Sequence, residues 1–114
     1  MTETGFTHLF SFPEGGTLVI RFATFTPRLT FHADNKLTVE IVDGENAGFR
    51  ETLPYQAVLP RANLVVLSWQ ERSGSSAVHT LDLDIGRSYT VIAPAKGTLL
   101  RLEGQVEQGR AGPL

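Results

Sequence analysis

The sequence predicts an all-β fold, a small antiparallel up-and-down or half-open β-barrel of about eight strands. Three observations point there. Apolar residues come in short runs rich in Val, Leu, Ile, Phe and Thr. Eleven glycines and six prolines break every window before a helical period of useful length can form. The connections are too short for crossovers, so consecutive strands must pair as antiparallel hairpins. A twisted sheet of this many strands removes its edges by closing on itself. Its interior is then either filled by side chains or left to one small ligand.

Residues 1–5 read as a loose tail. The first strand is Thr17 to Phe25, β-branched and aromatic, with Pro27 marking its end. Leu29 to Ala33 follows, and Asp34-Asn35 turns the chain. Lys36 to Val42 alternates, with Leu37, Val39 and Ile41 on one face and Lys36, Thr38 and Glu40 on the other. Asp43-Gly44 is a strong turn dipeptide. Phe49 to Val58 is a weaker strand crossed by Pro54, whereas Asn63 to Glu71 is the strongest. Ser73-Gly74-Ser75 forms a hairpin tip, and Ala77 to Leu83 returns. Gly86 punctuates before Arg87 to Ala93; Pro94 and Gly97 precede the last strand, Thr98 to Val106. Residues 107–114 read as a second loose tail.

A length of 114 residues fits one domain, taken here as 1–114. The hydrophobic fraction of 41% supplies a core, and a net charge of −2 offers no basic field for nucleic acid or anionic lipid. Cysteine is absent, which rules out disulfides and thiolate chemistry. No apolar run approaches the roughly 18 residues of a membrane span, and the first residues lack a signal-peptide pattern. The expectation is a cytoplasmic protein with no membrane or nucleic-acid partner.

Alternation assigns the interior. Leu67 and Trp69 share the bulkier face of their strand and should point inward, which places Glu71 at the inner mouth beside the indole. On the returning strand the carboxylates of Asp82 and Asp84 want water, so His79, Leu81 and Leu83 should face in. Tyr89 could bring a phenol inward, and Tyr55 could either pack in the core or offer a polar contact. Arg21 is either a buried cation or, if Leu18, Ile20 and Phe22 form the inward set, a solvated one. A carboxylic acid held beside an indole in an apolar cavity resists ionisation and can exchange a proton near neutral pH. Glu71 and His79 are therefore the candidate acid/base pair. Trp69, Tyr89, Tyr55, Arg21, Leu67 and Leu81 are the candidate ligand contacts. Each has a plainer reading: Glu71 as a solvated rim residue, His79 as a hydrogen-bonded core residue, Trp69 as a core anchor.

His8, His32 and His79 lie on separate strands or loops without metal-ligand spacing, so no metal is expected. Glu14-Gly15-Gly16-Thr17 opens a strand, and no helix follows to make a phosphate site. No cofactor is implied.

The segment Asn63 to Pro94, with Ser68-Trp69-x-Glu71, a tip at Gly74 and then Tyr89-Thr90-Val91-Ile92, resembles the small lipocalin-like barrels called MoaF-like. The likeness extends more loosely over Lys36 to Asp43 and Tyr55-Gln56-Ala57, roughly two thirds of the chain. The segment is also similar to part of the bacterial phenolic acid decarboxylases. The resemblance implies a calycin-type barrel with a central pocket, and in the decarboxylases the Glu of this motif, here Glu71, handles the proton. Those enzymes also use first-strand tyrosines and a following arginine. Here Phe22, Phe25 and Glu40 occupy the corresponding strands, which argues against that activity.

Two functions follow as expectations. One is a module binding a small apolar or aromatic ligand, with Glu71, His79 and Tyr89 as orienting groups. The other is a cofactor-independent isomerase, cyclase or decarboxylase of secondary metabolism using Glu71. A filled, purely structural barrel is the third possibility. Phe6, Phe10 and Phe12 could pack on a second copy in a homodimer.

Overall fold

A computed structural model describes residues 5–109. Nine strands form one antiparallel sheet: β1 (Thr17–Arg21), β2 (Phe25–His32), β3 (Lys36–Gly44), β4 (Arg50–Pro54), β5 (Gln56–Arg61), β6 (Leu64–Gln70), β7 (Ser76–Asp82), β8 (Arg87–Ala93) and β9 (Leu100–Gln108). Their order is β4-β3-β2-β1-β9-β8-β7-β6-β5. The meander is joined across its ends by β1 and β9, in register from Leu18 opposite Gln108 to Arg21 opposite Gln105. The two outermost strands, β4 and β5, follow one another in sequence with only Tyr55 between them. They are two halves of a single bent strand: the first half pairs with β3 and the second with β6. Counting them as one reconciles nine observed strands with about eight expected.

Three boundaries differ from the sequence reading for local reasons. The expected first strand, Thr17 to Phe25, ends at Arg21 and turns over residues 22–24, so Phe25 already starts β2 and Pro27 lies inside it, at a register shift between Thr26 and Pro27. A bulge is where a sheet tolerates a residue without an N–H. Asp43-Gly44 is the end of β3 and not the turn, which falls at Glu45 to Gly48. Gly44 (φ 84°) is required there, since a Cβ would overlap the Thr24 carbonyl. Glu107 and Gln108 belong to β9 and are no tail, and the Gly109 N–H bonds the Thr17 carbonyl at 2.9 Å. Residues 1–4 and 110–114 of the two expected tails lie outside the described residues.

Alternation fills the barrel. Leu18, Ile20, Leu29, Phe31, Leu37, Val39, Leu53, Val65, Leu67 and Leu81 converge in one buried cluster. Gly104 keeps β9 close to β1, because a Cβ there would press on Phe22 and Ile20. The segment before β1 crosses one end of the barrel. Leu9 bridges Val58, the Phe10 N–H bonds the Ala57 carbonyl, and the Leu59 N–H bonds the His8 carbonyl, so this strap covers the second edge of β5. Phe12 is buried, stacked on Phe31 at 4.0 Å and edge-on to Tyr55. Phe12 and the half-buried Phe10, edge-on to it at 5.0 Å, thus pack on their own barrel. The opposite end carries the hairpin loops β1–β2, β3–β4, β6–β7 and β8–β9.

Candidate functional site

The hairpin end of the barrel gathers the polar chemistry. Trp69 and Ala77 are cross-strand partners on the inner face of β6 and β7. One inward step along β7 lies His79, 2% exposed, opposite Leu67 on β6 and Thr90 on β8. The His79 ring sits 4.8 Å from the Trp69 ring and 6.4 Å from that of Phe22. Its Nδ1 shares a 2.8 Å hydrogen bond with Thr90 Oγ1, which in turn lies 2.7 Å from Ser88 Oγ. Nε2, the ring nitrogen farther from the backbone, has no partner. A buried polar atom left unpaired costs on the order of 1–3 kcal/mol, so this one asks for a reason. Burial alone pushes the His79 pKa down to about 4, so the imidazole is neutral at physiological pH.

Glu71 follows β6 directly, half-buried, and its Oε2 accepts the Trp69 indole N–H at 3.2 Å. The expected neighbourhood of acid, indole and imidazole is therefore assembled, with Trp69 as the common member. A second carboxylate joins it that sequence reasoning passed over. Glu51 on β4 shares its face with Leu53 and pairs across from Val39, both in the core. Its side chain is only 10% exposed, and Oε2 accepts the backbone N–H of Arg72 at 3.0 Å. The parity of Glu51, Leu53 and Tyr55 was readable in the sequence; the long-range bond to Arg72 was not.

The remaining candidates divide. Leu67 and Leu81 are fully buried in the lumen wall. Tyr55 is buried, its oxygen accepting the Phe12 N–H at 3.0 Å, and burial raises the phenol above its usual range. Tyr89 does not face inward: it is 47% exposed, and Ser88 and Thr90 occupy the inner face of β8. The size rule fails on this strand because His79 needs small hydroxyl partners where a phenol would collide. Arg21 takes the solvated alternative, outside the barrel and paired with Glu107 at 3.1 Å, while Leu18 and Ile20 turn inward. Neither Tyr89 nor Arg21 can touch anything in the lumen.

A cleft of about 640 Å³ lies against Gln56, Ser68, Gln70, Ser76 and Val78, which face outward from β5, β6 and β7, with Tyr55 and Trp69 also in its lining. A shallower groove of about 430 Å³ runs over the outer face of β8 and β9, past Tyr89 and Arg101. Among the described residues no group of three His, Asp or Glu side chains is placed to hold a metal ion, and no helix is long and apolar enough to cross a membrane.

The family model described as MoaF-like matches residues 14–107, which takes in every strand but the last residue of β9. The chain belongs to the MoaF-like family. A crystal structure from Burkholderia vietnamiensis, provisionally described as that of a beta-lactamase, is similar to this MoaF-like chain throughout. The two share 26% identity at a TM-score of 0.81, over 87% of this chain and 98% of the other. No curated protein matches the chain. The family expected from the Ser68-Trp69-x-Glu71 hairpin is thus the family found, and the barrel architecture agrees with it.

Proposed function

We propose that this MoaF-like barrel binds a small, largely apolar or aromatic molecule at its hairpin end, against Trp69 and His79. One observation supports this above the others. Among the described residues, an imidazole nitrogen lies unpaired in an apolar interior, with its ring 4.8 Å from that of a tryptophan at the hairpin end. Ligand sites of this kind combine apolar walls with a few convergent polar groups. Leu67, Leu81, Phe22 and Trp69 supply the walls; His79 Nε2, Glu71 and Glu51 supply the polar groups.

The test is ring-nitrogen NMR of His79 while small aromatic fragments are titrated in. Saturable movement of the Nε2 resonance, with parallel quenching of Trp69, is the expected result. Fragments that bind tightly yet leave that resonance in place would put the site elsewhere and overturn the reading.

A second reading is a cofactor-independent acid/base enzyme, an isomerase, cyclase or decarboxylase working through Glu71. The 3.2 Å bond from the Trp69 indole favours it by fixing the carboxylate at the mouth. Glu71→Gln would then keep binding and abolish turnover. The beta-lactamase description belongs to the Burkholderia protein; this chain contains no Ser-x-x-Lys sequence, the nucleophile pattern of the serine enzymes of that name.

A further inference from the structure

We propose that the hairpin end selects a ligand carrying a protonated amine on an apolar body; this rests on the ligand-binding reading above. Two carboxylates, one on β4 and one just past the end of β6, are tied to one short stretch of chain. Glu71 is tied to it by the Trp69 indole N–H, and Glu51 by the N–H of Arg72, the residue directly after Glu71. Their charges are unevenly balanced. The Arg72 guanidinium stands 3.7 Å from Glu51 on a side chain 88% exposed, and among the described residues Glu71 has no ion pair. One negative charge at the mouth is therefore left to solvent.

An independent observation points inward from the same place. His79 Nε2 is buried and unpartnered behind Trp69. Nδ1, Thr90 Oγ1 and Ser88 Oγ form one hydrogen-bonded chain, which leaves Nε2 as the ring nitrogen still open to a partner. The two carboxylates make the mouth itself rich in acceptors. The rim around them is apolar and incompletely covered: Phe25, Ile92 and Leu102 are half-buried, and Leu100 is exposed.

Chemistry decides among the charge classes. An anionic ligand would set a third negative group beside Glu51 and Glu71. A neutral ligand would cover Glu71 without compensating it, and a desolvated, unpaired carboxylate is expensive. An ammonium group meets charge-assisted acceptors and the face of an indole at once. The apolar body then lies on Phe25, Ile92 and Leu102.

Phenethylamine, 2-phenylethanol and phenylacetate are matched in shape and differ in charge, and Trp69 is the single tryptophan. Quenching titrations with all three are expected to rank the amine about tenfold above the alcohol, with the acid weakest. Glu71→Gln or Glu51→Gln should bring the ratio of amine to alcohol affinity down toward one; if one variant does not fold, the other carries the comparison. An alcohol or acid that binds as well as the amine, or an amine preference that survives both substitutions, overturns the charge selection alone. If none of the three quenches saturably, the ligand-binding reading falls as well.

Discussion

A histidine buried without a full set of partners makes stability depend on pH in a calculable direction. The His79 pKa of about 4 in the folded chain lies below its unfolded value near 6.5. Between those limits the unfolded chain binds more protons, so stability is complete above pH 6.5 and drains away as pH falls toward 4. The loss should total on the order of 3 kcal/mol. Urea midpoints measured across this window will show it, and His79→Phe should flatten that part of the curve. A wild-type profile without slope there would mean that the imidazole is solvated. This residue was legible in part. Alternation turned it inward with Trp69 because their neighbours on both strands leave no other choice. Its partners were not legible: Ser88 and Thr90 look like surface residues until a ring nitrogen across the ladder requires them.

Among the elements, the strap and the bent strand decide how the barrel is closed. The strand Arg50–Arg61 changes partners at Tyr55, and residues 8–12 fill the wedge that the bend opens. Phe12 is the keystone, 4% exposed and held between Phe31 and Tyr55. Truncation to Ala should cost about 3–5 kcal/mol, measurable as a lowered urea midpoint. An effect below about 1 kcal/mol would show that the barrel does not depend on this plug, since surface changes usually stay under that figure. The sequence revealed each strand through its alternation. It hid the strap, because Ala57 and Tyr55, which take the backbone N–H groups of Phe10 and Phe12, lie more than forty residues away.

At the scale of the whole molecule, the decisive contact is the pairing of β1 with β9, which joins the two ends of the described chain. Neither strand predicts the other, since closure is a property of accumulated twist and not of a local motif. Such non-local pairing makes folding slow, in the millisecond-to-second range. Stopped-flow refolding followed through Trp69 should fall in that range. A microsecond relaxation would mean that the hairpins form without waiting for the ring.

The bend at Tyr55 has one more effect. An open sheet ends in two strands whose bare backbone can recruit strangers. Here both ends are the same peptide, joined covalently. One flank of β5 is taken by the strap, and β4 carries an exposed Arg50 and an exposed Pro54, which discourage foreign strands. The fold thereby carries its own protection against polymerising edge to edge, and that protection resides in the bent strand Arg50–Arg61 and the strap laid across it.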